Sequence, residues 1–228
     1  MPSALVTGGS SGIGLAIARM LRDEGYGLTL AARNVERLEE AAAELGAKAV
    51  ATDVRHEEEC AALVGAHLGA HGGLDVLVNS AGVGVAGTIG DMQTKHFDLQ
   101  QTVNLRGAFI VTREALPALR ASKGYVVNLA SIAGTIPTPG LASYGAAKAA
   151  LISLSRSLAR EEADAGVRVT AVCPEFVDTP MAAWTGLASG EMIQPEDCAV
   201  VVRALLGLSP AARVPVVVIE RAGGSLGA

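Results

Sequence analysis

The stretch Thr7-Gly8-Gly9-Ser10-Ser11-Gly12-Ile13-Gly14 decides the fold. It follows a short apolar run, Ala4–Thr7, and leads into a helical stretch, Gly12–Glu24. Three spaced glycines between a strand and a helix suit a phosphate-binding turn. Gly8 makes the tight turn, Gly12 lets a pyrophosphate approach the backbone at the helix head, and Gly14 lets the helix pack closely on the strand. Free amides and the helix dipole then attract the anion. The competing reading is a tight βα turn that holds no ligand.

The same alternation continues along the chain. Apolar runs at Gly27–Ala32, Lys48–Asp53, Leu74–Asn79, Tyr125–Ala130, Arg168–Pro174 and Val214–Glu220 read as further strands. They are nearly continuous rather than alternating, as strands buried on both faces are. Helical stretches lie between them at Val35–Leu45, His56–His71, Thr94–Ser122, Ser143–Ala165 and Pro195–Leu206. Pro195 in a first turn with Glu196 and Asp197 is a strong helix start. Repeated strand-helix-strand units imply an α/β, Rossmann-type doubly wound fold with right-handed crossovers. No Pro/Ser-rich or charged linker divides the chain, so residues 1–228 are expected to form a single domain.

Composition agrees. Of 228 residues, 50% are apolar and 18% charged, which suits a packed core rather than disorder. Aromatics are only 3%, so Ala, Val, Leu and the 27 glycines must fill it, and the elements can pack closely. Net charge is −5 with no Lys/Arg block, which argues against nucleic-acid binding. Mean hydropathy is +0.38, but no apolar run approaches the roughly 20 residues of a spanning helix. The first residues, Met1–Thr7, lack a signal-peptide pattern, and Cys60, Cys173 and Cys198 show no CxxC spacing. A cytoplasmic protein with neither disulfides nor a metal site is the expectation. His67, His71 and His96 lack metal-ligand spacing and are expected at the surface, with His56 opening a helix.

The end of the second strand bears on the nucleotide. An acid there would meet a ribose 2′-hydroxyl, but the run is Leu30-Ala31-Ala32-Arg33-Asn34. Arg33 can pair with a 2′-phosphate through its planar fork, which favours NADP over NAD; a solvated arginine is the bland alternative. Asp53 either meets the adenine edge or starts a helix. Gly82-Val83-Gly84-Val85-Ala86-Gly87 also matches a dinucleotide pattern literally. It lacks the acid and the clear helix that should follow, so it reads as a flexible loop at the pocket edge.

Tyr144 and Lys148 are four apart in a helical stretch and share a face. A nearby ammonium should lower the phenol pKa from about 10 and make Tyr144 an acid/base near neutrality. Ser131, just after the fifth strand, could hold a carbonyl oxygen beside the phenol. The order of glycine turn, Ser, Tyr and Lys is what lifts these residues above chance.

Across nearly its whole length the chain resembles the short-chain dehydrogenase/reductase family. The motifs are Thr7–Gly14, Asp53-Val54, Asn79-Ser80-Ala81-Gly82, Asn104, Ser131, Tyr144/Lys148 and Pro174 to Thr179. The resemblance implies a seven-stranded Rossmann sheet, a nicotinamide coenzyme and a carbonyl or secondary-alcohol substrate. It implies catalytic roles for Asn104, Ser131, Tyr144 and Lys148, with Asn104 holding a water that relays protons from Lys148. Coenzyme contacts are implied for Gly8, Ser10, Ser11, Gly12, Ile13, Gly14, Arg33, Asp53, Val54, Asn79, Ala81, Gly82, Tyr144, Lys148, Pro174, Val177 and Thr179. Family members commonly pair long helices, so a homodimer or homotetramer is implied.

Two departures stand out. Glu175 follows Pro174 where the family usually has Gly, and its side chain is expected either in solvent or toward substrate. The segment between Thr179 and Pro195 is short, so a small lid of Met181, Ala182, Trp184 and Leu187 is expected. Trp184 is either a pocket wall or a subunit contact. Val83, Ile132, Pro137, Leu141 and Phe176 complete an apolar pocket for a small or medium apolar substrate. A module that binds a dinucleotide without catalysis, or senses redox state, is the alternative from another class.

Overall fold

The computed structural model describes residues 1–223. The Gly-rich ending is described only as far as Gly223. Seven parallel strands form one sheet in the order β3-β2-β1-β4-β5-β6-β7. They are β1 Ser3–Thr7, β2 Gly27–Ala32, β3 Lys48–Ala51, β4 Val76–Asn79, β5 Tyr125–Leu129, β6 Arg168–Pro174 and β7 Val216–Ile219. The helices are α1 Gly12–Asp23, α2 Val35–Leu45, α3 Glu57–His71, α4 Thr94–Gln101, α5 Ala108–Ser122, α6 Ala142–Glu161 and α7 Pro195–Leu206.

Successive side chains in a strand point to opposite faces, and both faces of the central strands are covered, while the edge strands β3 and β7 are largely exposed or half-buried. Ala4, Val6, Leu28 and Leu30 pack with Ile17, Leu21, Leu38 and Val202 from α1, α2 and α7. Leu5, Leu77 and Val126 point the other way and pack with Leu63, Ile110, Leu119 and Leu158 from α3, α5 and α6. The sheet reverses its winding between β1 and β4, so a crevice opens at the carboxyl ends of the central strands.

The expected single helix Thr94–Ser122 is interrupted. A π-helical segment, Thr102–Gly107, separates α4 from α5. The Asn104 side chain within it accepts from Val83 N–H at 2.9 Å and donates to Val83 O at 2.8 Å. That tie to the pocket-edge loop gives Asn104 a partner outside the helix ladder.

His67 and His71 also depart from expectation. His67 is fully buried, with ring nitrogens against Thr29 Oγ1 at 2.9 Å and Ser3 Oγ at 3.3 Å. Burial pushes its pKa down to about 4, so it is a neutral packing residue. His71 lies 4.8 Å from it, ring to ring. Among the described residues no cluster of His, Cys, Asp or Glu is arranged to hold a metal, and no helix is long and apolar enough to cross a membrane.

Candidate active site

The phosphate turn is built by close approaches. Gly8 and Gly12 have φ of +67° and +52°, in the left-handed region that glycine tolerates. A methyl group on Gly14 would lie 2.3 Å from Gly8 O, so only glycine lets α1 seat on the turn. Ser11 caps α1 in an extended conformation with no side-chain hydrogen bond, and no acid lies in the first turn. The amides at the head of α1 therefore face the crevice without a competing side-chain acceptor, as a pyrophosphate cradle requires. Ser10 and Ser11 belong to this turn, and Ile13 lines the adjoining cavity.

At the far side of the coenzyme crevice, Arg33 is exposed at the end of β2. Asp53 does not cap a helix; His56 holds that position. The Asp53 carboxylate takes the Arg55 guanidinium, with Nη2 at 2.6 Å, and Arg55 N–H at 3.0 Å. The Arg55 hydrogen bond is the main cause holding its pKa below the usual range, and Arg33 adds to it. Val54 and Asn79 turn away from the crevice. Val54 is buried, its side chain packed against Gly107. Asn79 Nδ2 donates to Thr112 Oγ1 at 2.9 Å and to Asn128 Oδ1 at 2.8 Å, which ties β4 to α5 and β5. Ala81 N–H donates to Thr7 Oγ1 at 3.2 Å and underlies Gly8.

Ser131, Tyr144 and Lys148 meet in one cavity of about 140 Å³. Ser131 caps a short 3-10 turn, Ile132–Gly134, with its Oγ accepting from Ala133 N–H at 3.2 Å. The head of α6 lies against this turn so closely that a methyl on Gly145 would sit 2.6 Å from Ala133 O. That contact sets Ser131 beside the Tyr144/Lys148 face. Lys148 Nζ donates to Leu129 O at 2.6 Å and lies 5.5 Å from the Tyr144 ring centre.

The electrostatics differ from the sequence expectation. Burial pushes the Tyr144 phenol up to about 12, and its hydrogen bond with Ser131 only partly opposes this. Burial also drives Lys148 down to about 8. Desolvation, rather than the ammonium, sets the direction of both shifts. Below pH 8 Lys148 is charged in both folded and unfolded chains, and its burial is fully destabilising. As pH rises from 8 toward 10.4, the folded lysine is already neutral while the unfolded chain still binds the proton, so the cost disappears. Lys148→Met should be more stable than the parent at pH 7 by on the order of 2 kcal/mol, after about 1 kcal/mol for the lost Leu129 bond. Melting curves should show that advantage gone by about pH 10. A variant no more stable than the parent at pH 7 would refute the reading.

The cavity edge is pinned by residues that sequence patterns did not single out. Gln100, fully buried, accepts from Val85 N–H at 3.0 Å and donates to Ser143 Oγ at 2.9 Å. Together with Asn104 it fixes the 82–87 loop, which lines the cavity through Gly82, Gly84 and Ala86. Among the expected pocket residues, Ile132, Leu141 and Phe176 line the cavity, as do Pro174, Val177 and Thr179. Val83, Pro137 and Leu187 are not in its lining. The lid reaches across through Met181, Ala182 and Trp184, with Trp184 edge-on to Phe176 at 6.0 Å between centroids.

Glu175 does not turn to solvent; it borders the cavity with its carboxylate engaged by Arg221. It is buried, and its carboxylate accepts Arg221 N–H at 2.9 Å and lies 3.5 Å from Arg221 Nε. Arg221 also reaches Glu191 O in the lid at 3.4 Å.

A seven-stranded parallel sheet with a glycine turn and a Ser/Tyr/Lys trio gathered in one cavity, its serine and lysine buried and its tyrosine half-buried, is the architecture of a dinucleotide-linked oxidoreductase. The family model described as short chain dehydrogenase matches residues 2–187, and the chain belongs to that family. An uncharacterized oxidoreductase of Staphylococcus epidermidis is 39% identical over 199 residues, covering 86% of each chain. The structure of an alcohol dehydrogenase from Thermococcus sibiricus complexed with 5-hydroxy-NADP superposes with a TM-score of 0.90 at 31% identity, covering 97% of this chain and 96% of that one. The actinorhodin polyketide ketoreductase with NADPH gives 0.89 at 33%, covering 96% and 95%. A 3-ketoacyl-(acyl-carrier-protein) reductase from Brucella melitensis complexed with NADH gives 0.90 at 29%, covering 97% of each chain.

Proposed function

We propose that this chain is an NADP(H)-dependent carbonyl reductase or alcohol dehydrogenase acting on a small to medium, largely apolar substrate. The observation that carries the reading is the meeting of Ser131, Tyr144 and Lys148 in an apolar cavity that borders the glycine turn. The coenzyme would supply or accept the hydride. Ser131 Oγ holds the substrate oxygen, and the Tyr144 phenol, protonated at neutral pH, donates to it. Lys148 carries positive charge next to the phenol, and Asn104 holds the loop that flanks both. Residues 1–228 act as one domain, with the 179–195 segment as its lid. Exposed Phe97 and Phe109 on α4 and α5 support self-association through that face.

Arg33 supports NADP(H), because no carboxylate ends β2 to receive a ribose hydroxyl. Neighbours of similar fold carry NADPH in one case and NADH in another, so the preference needs its own measurement. Arg33→Ala should lose a charge-assisted contact of about 1.5–3 kcal/mol, a roughly 10- to 100-fold loss of NADPH affinity. NADH binding should hardly change. Titration of both coenzymes against parent and variant checks this, and equal losses for the two would remove Arg33 from the 2′-phosphate. A carbonyl-substrate screen run with both coenzymes tests the activity itself.

A further inference from the structure

A second cavity, of about 360 Å³, lies at the opposite end of the sheet from the catalytic crevice. Four arginines line it: Arg156 and Arg160 on α6, Arg168 at the start of β6, and Arg213 just before β7. Its lining includes no acidic residue. We propose that this cavity is a binding site for a small multivalent oxyanion, of the phosphate or polycarboxylate class, distinct from the coenzyme crevice.

The pairing of arginines across the molecule supports this. Arg19, Arg55, Arg106, Arg113, Arg120, Arg203 and Arg221 each lie within 3.5 Å of a carboxylate. None of the four cavity arginines has such a partner among the described residues. Of the others, only Arg22, Arg33 and Arg37 share that state, so the unpaired guanidiniums of a chain with net charge −5 are concentrated at this one place. Gathering like charges is unfavourable unless an anion offsets it.

Two of the guanidiniums are also held in position without being neutralised. Arg168 stacks on the Tyr125 ring at 4.6 Å and donates to Leu208 O at 3.0 Å. Arg213 donates to Ala159 O and Ala163 O, both at 3.3 Å, at the carboxyl end of α6. Capping that helix end accounts for Arg213 alone. The guanidiniums of Arg156 and Arg160, four apart and so on one helix face, make no hydrogen bond to any described residue and are free to close on a ligand. Planar guanidinium forks match the paired oxygens of phosphate and carboxylate. A concave volume in the small-ligand range suits a compact ion, whereas nucleic acid would need an extended basic stripe. Lys148 and Arg160 lie on the same helix about 18 Å apart by helix rise, so an anion here would not occupy the coenzyme's place.

Calorimetric titration of the full-length protein with inorganic pyrophosphate and, separately, with citrate tests the proposal, each with and without NADPH. Binding that persists with NADPH present, and weakens at least tenfold in Arg156→Ala/Arg160→Ala, is the expected result. Tighter binding of pyrophosphate than citrate assigns the phosphate class, and the reverse assigns the polycarboxylate class. The variant side chains are exposed and unbonded, so its melting temperature should match the parent's. With NADPH saturating the coenzyme crevice, a rise in the parent's melting temperature with pyrophosphate, above that in chloride of equal ionic strength, is a readout that needs no variant. The proposal is overturned if neither anion binds the parent, if binding vanishes with NADPH, or if the double variant binds as tightly. It is also overturned if the double variant changes only the oligomeric mass, which would make the arginines a subunit contact.

Discussion

Tyr144→Phe should lower kcat by about a thousandfold, within the 10²–10⁴ range of a lost general acid, while costing coenzyme affinity no more than one hydrogen bond and leaving folding intact. The phenol is the group beside Ser131 that can place a proton on a substrate oxygen, and burial keeps it protonated at neutral pH. Because it is neutral there, its hydroxyl can be removed without stranding a charge. Stability should therefore change by no more than about 1 kcal/mol, the net worth of one hydrogen bond. The same high pKa separates the two directions. Carbonyl reduction finds its donor ready and should be nearly flat below the point near pH 8 where Lys148 loses its charge, whereas alcohol oxidation needs the phenolate and should climb with pH. Steady-state rates in both directions on either side of that point, for parent and variant, check the assignment. Turnover by Tyr144→Phe within tenfold of the parent would move the acid role elsewhere.

The second large effect is expected on stability. Arg221→Ala should cost about 3 kcal/mol, because it leaves the Glu175 carboxylate buried with only a backbone N–H for company. In a chain of this size that is a fall of roughly 6–12 °C in melting temperature. Glu175→Gln should cost much less: the amide oxygen still accepts Arg221 N–H, and the guanidinium is nearer to solvent than the carboxylate. Combining Glu175→Gly with Arg221→Ala should be milder than Arg221→Ala alone, since no buried charge remains. Arg221 also holds Glu191 O, so its loss should loosen the lid and raise KM more than it lowers kcat. Thermal melts of the three variants decide the matter: if the double variant is worse than Arg221→Ala, the pair is not what matters there.

Much of this architecture is local and therefore visible in the chain. Val35–Leu45 and Pro195–Leu206 have the limits that their caps dictate. Asn34 accepts from Arg37 N–H at 2.8 Å, and Pro195 stands in the first turn of α7. The buried runs of β2 and β6 needed only their apolar continuity. What stayed hidden depends on distant partners. Apolar spacing runs unbroken through Thr94–Ser122, and the π segment becomes intelligible only from the bond between Asn104 and Val83. His67 looks like a surface histidine until Ser3 and Thr29 are brought to it by the sheet. Glu175 has its counter-charge at Arg221, beyond the last strand. The Tyr144/Lys148 pairing was legible from spacing, but the sign of the phenol shift was not, since desolvation depends on what the fold lays over it.

The lining of the catalytic cavity limits how well the enzyme can tell one substrate from another. Around Ser131, Tyr144 and Lys148 the walls are mostly aliphatic and aromatic, and the one carboxylate among them, Glu175, is already engaged by Arg221. Ser80, Thr138 and Thr179 supply the other side-chain hydroxyls. Selection then falls to shape. A methylene that fits or fails to fit such a wall is worth about 1–3 kcal/mol, a roughly 10- to 200-fold preference. Rejection of 10⁴ or more requires buried polar groups left unpaired by the wrong molecule. For the carbonyl substrates proposed above, turnover across a series graded by bulk rather than switched on and off by functional group is the expected result.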